Sequence, residues 1–111
     1  LGVIVPCRNE ELVVARKLAN LARCRWPQSP REHVIAIVDD GSDDSTRSAA
    51  AEAAQRLAAR WRECNVRVVV LENDVRPGKT GAIEQGLRAL AHSVDFVVLT
   101  DADVVVGEQA L

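Results

Sequence analysis

The chain reads as an α/β sandwich in which a parallel sheet is covered by helices on both faces. Four short β-branched runs alternate with three helical stretches, the rhythm of successive βαβ units. Apolar strand gives way abruptly to charged turn at the strand ends, and the last strand runs straight into two carboxylates. The strands are expected at Val3 to Val5, Val34 to Val38, Val66 to Leu71 and Phe96 to Thr100. A first helix is predicted from about Glu10 to Arg25, closed by Trp26-Pro27 because proline cannot continue it. The second opens near Asp44-Ser45, whose short polar side chains can cap free amides, and places Ala50, Ala54, Leu57 and Trp61 on one stripe. The third begins after Gly78 and lines up Ile83, Gly86 or Leu87, and Leu90. These stripes are core faces.

Right-handed crossovers bring every strand-to-helix loop to one edge of such a sheet, and ligands bind there, where strand order reverses. The usual topology puts the first strand in the centre, the second and third on one side and the fourth on the other. The loop from Pro6 to Glu11 and the pair Asp101/Asp103 then flank one cleft.

At 111 residues the chain is one domain at most. It opens directly into an apolar strand and stops just after a new helix start, so it reads as the front part of a larger protein, incomplete at its C-terminus. A net charge of -2 gives no sign of a nucleic-acid groove or a basic membrane patch. Cys7, Cys24 and Cys64 form an odd set without CxxC pairing, which argues against zinc or a disulfide framework and fits a reducing cytosol. At least two of them are expected as small buried residues. No apolar run is long enough to span a bilayer and no cleavable signal is present, although flanking sequence can supply membrane association.

Four loops carry the chemistry. The first, Pro6-Cys7-Arg8-Asn9-Glu10-Glu11, stops the strand with proline, and Asn9 and Glu10 can anchor the turn by side-chain hydrogen bonds. Arg8 can pair with nearby acids or reach a phosphate. The second runs from Asp39 and Asp40 through Gly41 to Thr46. Turn and cap explain Gly41 and Asp44-Ser45-Thr46, but not two aspartates at the strand end. A carboxylate aimed into the cleft there can accept the imino hydrogen of a pyrimidine or a ribose hydroxyl.

The third loop, Arg76-Pro77-Gly78-Lys79-Thr80-Gly81, sets a lysine beside a glycine turn at a helix N-terminus, an arrangement that favours phosphate. It matches the end of a P-loop, whose leading glycine would fall at Asn73, so a nucleotide hydrolase is a second reading. The fourth loop holds Asp101 and Asp103 at i, i+2, on the same side of an extended strand end. Two close carboxylates repel unless a cation lies between them, and all-oxygen ligation suits Mg2+ or Mn2+ completed by phosphate oxygens. His33 and His92, at expected element edges, read as surface or capping residues.

The succession VIVPCRNEE, IVDDGSDDST, RPGKTGAIEQGL and VVLTDAD resembles the amino-terminal, nucleotide-sugar-binding half of family 2 glycosyltransferases of the GT-A fold, a Rossmann-like three-layer sandwich. The likeness runs through nearly the whole chain. It implies transfer of a sugar, with inversion and metal dependence, from a nucleotide-diphosphate donor such as a UDP-sugar to a carbohydrate or lipid hydroxyl. RNEE combined with TDAD is similar to bacterial members that work on lipid-linked or polysaccharide acceptors, at the cytoplasm or the cytoplasmic face of the inner membrane. Pro6, Arg8 and Glu10 would wall the nucleotide pocket. Asp40, or alternatively Asp39, would hydrogen-bond the base. Lys79 would meet the diphosphate, Asp101 the ribose and metal, and Asp103 the metal. No catalytic base is assigned within residues 1–111; relatives carry it in the other half of the domain. A sugar nucleotidylyltransferase would instead show a glycine- and arginine-rich loop after the first strand. A non-catalytic nucleotide-sugar-binding module would keep the pocket and lack the base. Glu84 stands where relatives often carry asparagine, and its charge is expected to face away from the diphosphate.

Overall fold

Val3, Ile4 and Val5 divide between the two faces of one strand, and the sandwich is built outward from that alternation. A computed structural model describes residues 1–111. In chain order the elements are β1 (Gly2–Cys7), α1 (Val14–Arg23), β2 (His33–Asp39), α2 (Thr46–Arg56), α3 (Ala58–Cys64), β3 (Val66–Glu72), α4 (Lys79–Leu90) and β4 (Val97–Leu99). All strand pairings are parallel and the sheet order is β3-β2-β1-β4. β1 is therefore interior, and the order reverses between β1 and β4, as the sequence predicts.

Val3, Val5, Ile35 and Ile37 pack on one face with Val14, Leu18 and Leu21 of α1 and Trp61 of α3. Ile4, Val34, Ala36 and Val38 meet Ala82 and Leu90 of α4 on the other. Gly86 lets α4 come close: a Cβ there would lie 2.8 Å from Ile4 Cγ2. β2 is buried along its whole length.

Four element-level expectations need correction. α1 begins at Val14, not Glu10, because the preceding loop takes its partners from the loop after β2. The Asn9, Glu10 and Glu11 amides donate to Ser42 Oγ, Thr46 Oγ1 and Asp44 Oδ2 at 2.9, 2.9 and 3.3 Å. In return Asn9 Oδ1 accepts the Asp43 amide and Glu11 Oε2 the Ser45 amide. Asn9 thus anchors the neighbouring loop, from a left-handed backbone at φ 53°.

The second helical stretch is two helices broken at Leu57. Trp61 turns its indole N–H back to the Ala54 carbonyl at 3.1 Å, satisfying an acceptor at the break. The inward residues of α2 are Thr46, Ala50 and Ala53, with Ala54 and Leu57 only half-buried. The cap on α2 comes from Asp44, whose Oδ1 accepts the Thr46 amide at 3.0 Å, while Ser45 makes no side-chain cap.

β4 is three residues long and pairs with β1 alone, and Val97 and Leu99 within it and Phe96 before it are exposed. On α4 the buried positions are Gly81, Ala82, Gly86 and Leu90, with Ile83 half-buried and Leu87 exposed.

Cys7 and Cys24 are buried and Cys64 is half-buried, all free thiols. His33 is not a surface residue. It is buried at the start of β2, with one ring nitrogen 2.7 Å from the Pro27 carbonyl and the other 3.1 Å from the N-terminal amine. No helix is long and apolar enough to cross a membrane.

Candidate functional site

β1 ends in Pro6 and Cys7, and β4 ends beside it, where the Thr100 amide donates to the Ile4 carbonyl at 3.1 Å. The chain then turns instead of continuing extended: the Val104 amide donates to the Asp101 carbonyl at 3.2 Å. Ala102 is buried in the core while Asp101 and Asp103 stay outside it. The paired direction read as strand alternation is thus produced by a turn with a small residue at its inward position.

A cavity of about 200 Å³ opens at this edge, lined by Pro6, Cys7, Arg8, Glu10, Asp40, Lys79, Asp101 and Asp103. A neighbouring hollow of about 420 Å³ shares Arg8 and Asp40 with it and continues over Gly41 and the loop Asn73–Pro77. The two together make a cleft with Arg8 and Asp40 at its waist, within the size range of small-ligand sites.

Asp40 and Asp39 part company here. Asp40 lines both hollows; its Oδ1 accepts from Asn73 Nδ2 at 2.9 Å, and both its oxygens lie 3.1 Å from the Gly78 amide. Asp39 is buried and lines neither, its carboxylate held by the Ser42 amide and hydroxyl and by Arg47 at 3.4 Å. Asp39 therefore has a structural task, tying down the loop that presents Asp40. Sequence reasoning weighed Asn73 and Gly78 only against a P-loop and missed that both hold Asp40. The available signal was the asparagine standing where a P-loop needs glycine. The Gly78 amide, which a P-loop would offer to phosphate, is given to Asp40, and the hydrolase reading loses its cradle.

Lys79 Nζ stands 2.5 Å from Asp101 Oδ1, with both side chains about half-exposed. Glu84 faces away as expected, paired with Arg76 at 2.5 Å and Arg88 at 3.0 Å, and these hydrogen bonds hold its carboxyl below the usual range.

Four carboxylates and two bases line the inner cavity, leaving it negative. Burial lifts the Glu10 carboxyl above its ordinary range, and the charges of Asp103, Asp101 and Asp44 raise it further. That uncompensated field and the all-oxygen donor set fit a hard divalent cation. No group of three or more protein ligands gathers anywhere in the chain, so such an ion would rest on the Asp101/Asp103 pair and complete its shell from water and ligand oxygens. A larger cavity, about 620 Å³, lies at the opposite edge around Trp26, Pro27 and Arg60, and contains one carboxylate, Glu63.

The profile of glycosyl transferase family 2 matches residues 2–111. The chain belongs to that family. This family 2 chain is 29% identical over 104 residues to beta-monoglucosyldiacylglycerol synthase of Trichormus variabilis, a match covering 94% of the chain and 20% of that protein. Among solved structures it is similar to the mannosyltransferase PcManGT of Pyrobaculum calidifontis, in complex with GDP-Man and Mn2+. The TM-score is 0.72 and the identity 31%, over 92% of this chain and 27% of that one. It is similar also to glucosyl-3-phosphoglycerate synthase of Mycobacterium tuberculosis, in complex with Mn2+, UDP and glucosyl-3-phosphoglycerate. There the TM-score is 0.54 and the identity 25%, over 91% and 32% of the two chains. The family 2 chain thus spans about a fifth to a third of the length of these relatives, and its fold is of the GT-A type.

Proposed function

We propose that residues 1–111 are the nucleotide-sugar-binding half of a metal-dependent, inverting glycosyltransferase that moves a sugar from a nucleotide-diphosphate donor, with UDP favoured, to a hydroxyl of a carbohydrate or lipid. The observation that carries this reading is that Asp40, Lys79, Asp101 and Asp103, from three separate loops, line one cavity. The nucleotide-sugar and Mn2+ complexes of the similar structures support it, and the name of the glycolipid synthase relative supports a lipid acceptor.

Asp40 accepts the imino hydrogen of the base. Its Oδ2 is committed only to Gly78, so lone-pair capacity remains. Pro6 and Glu10 wall the nucleotide, and Arg8, at the waist of the cleft and in no ion pair, turns to the diphosphate. Asp101 and Asp103 hold the divalent cation. When bound, that ion supplies Lewis-acid stabilisation of charge on the leaving diphosphate. Lys79, at the N-terminus of α4, exchanges Asp101 for the diphosphate and adds its charge to the positive helix end. No side chain that lines the cavity is given the role of the base that takes the acceptor's proton.

Calorimetric titration with UDP and GDP, each with Mn2+ and with EDTA, tests this. The expected result is nucleotide binding that is clearly tighter with Mn2+ than with EDTA. Binding of neither nucleotide, or binding indifferent to Mn2+, would remove the proposal.

A further inference from the structure

Helix α1 and its C-cap residue, Cys24, carry polar groups on the buried side. Lys17, Asn20 and Cys24, at i, i+3 and i+7, are 2%, 7% and 0% exposed. All three face one irregular segment, residues 100–107. Lys17 Nζ donates to Thr100 Oγ1 at 2.6 Å and to the Val104 carbonyl. Asn20 donates to the Val106 carbonyl and accepts the Val106 amide, both at 2.8 Å, and Cys24 Sγ lies 3.7 Å from the Gly107 carbonyl. Thr100 and Val104 are the two residues that bracket Asp101-Ala102-Asp103.

A buried ammonium needs its hydrogen bonds, and without a partner it carries a severe desolvation cost. Lys17 meets that need only if Thr100 and Val104 stay where they are. The lysine and the turn therefore fix each other. Packing alone would be served by an apolar side chain at this place, between Val14 and Leu21 on the core stripe of α1. An ammonium adds direction, because it draws the two ends of the turn against the helix while Ala102 enters the core.

We propose that Lys17 is a positioning residue for the cation site, gripping the turn through Thr100 and Val104 so that Asp101 and Asp103 converge on the cleft. The proposal rests on the reading of Asp101 and Asp103 as the cation-holding pair. Lys17 touches neither ligand nor ion; it acts through the backbone that carries the carboxylates.

The test measures Mn2+ affinity by electron paramagnetic resonance in saturating UDP or GDP, whichever the wild type binds more tightly, and separately the affinity for that nucleotide in EDTA. Lys17→Met, Thr100→Val and Asp103→Ala are compared with wild type. Lys17→Met keeps the length of the side chain and removes its donors. It is expected to lose roughly tenfold or more in Mn2+ affinity, the loss typical of removing a group that orients a metal ligand, with EDTA binding within twofold of wild type. A residue that merely holds the fold together would move both affinities. Should Lys17→Met not fold, Thr100→Val, which removes one acceptor and keeps the shape, decides with a smaller loss in the same direction. Wild-type Mn2+ affinity in the folded variants, or a parallel fall in both affinities, overturns the role of Lys17. If wild type binds no Mn2+, or Asp103→Ala binds it equally well, the reading of the aspartate pair fails first and the role of Lys17 falls with it.

Discussion

Lys79 and Asp101 meet across the mouth of the cleft, Nζ 2.5 Å from Oδ1, joining the first residue of α4 to the loop beyond β4. The ammonium stands beside one of the two carboxylates proposed to hold the cation, so a divalent ion there would compete with the lysine for Asp101 when no nucleotide is present.

Lys79→Met should therefore act in opposite directions on two ligands. Removing a half-exposed ion pair is worth at most about 1 kcal/mol, so affinity for Mn2+ alone rises by up to roughly fivefold. Affinity for UDP with Mn2+ falls by about 10- to 100-fold, since a charged hydrogen bond to the diphosphate is lost. Paired titrations of variant and wild type measure both.

Asp40 holds the Gly78 amide and Asn73 as well as lining the cleft. Asp40→Ala leaves that amide without its acceptor and should lower stability by about 1–3 kcal/mol, together with loss of nucleotide binding in EDTA. Asp40→Asn keeps an acceptor for Gly78 and should recover most of the stability. Urea unfolding and EDTA titration of the two variants separate the roles.

Two glycines of α4 bear on the site through packing. A Cβ on Gly86 would meet Ile4 Cγ2 at 2.8 Å, and one on Gly81 would fall 1.9 Å from the Arg76 carbonyl oxygen. Gly86→Ala is expected to cost about 1–3 kcal/mol by overpacking, with nucleotide affinity retained in the folded fraction. Gly81→Ala must displace the Arg76–Gly78 backbone and should lose both stability and nucleotide binding. Denaturant midpoints and EDTA titrations distinguish the two.

Burial, with the charges of Glu10 and Asp39 adding to it, pushes the Cys7 thiol from 9.0 up to about 12. At pH 8 its thiolate fraction is roughly a thousandfold below that of an ordinary thiol, so a disulfide reagent should modify Cys64 first and Cys7 only on unfolding. The same shift fixes the sign of a pH effect. The protonated thiol is favoured in the fold, so its contribution is complete below pH 9.0 and is lost as pH climbs to about 12, where the unfolded chain releases its proton first. Cys7→Ala should flatten this alkaline decline in chemical unfolding curves.

The sheet was legible in the sequence because its evidence is local. Each β-branched run ends in a charged turn, while the order β3-β2-β1-β4 was expected only from the usual topology of such sheets. Pro6, Arg8, Glu10, Asp40, Lys79, Asp101 and Asp103 were picked out as loop residues and line one cavity. Asp39 was not separable from Asp40, since neighbouring side chains at a strand end leave in opposite directions and only the register decides which reaches the cleft. The late start of α1 was hidden because Glu10 and Glu11 take partners from Thr46 and Asp44, more than thirty positions away. The break at Leu57 depends on an indole reaching back to Ala54, which helical periodicity does not reveal. Lys17 did leave a trace, as a lysine on the stripe shared by Val14 and Leu21, but its partners lie at the other end of the chain.

The most direct measurement is UDP or GDP binding to wild type, Asp103→Ala and Asp40→Ala, each with Mn2+ and with EDTA. One cleft serving one ligand predicts that Asp103→Ala loses the Mn2+-dependent gain while keeping EDTA binding, and that Asp40→Ala loses both. Asp103→Ala responding to Mn2+ as wild type does, or Asp40→Ala binding nucleotide unchanged, would contradict the account.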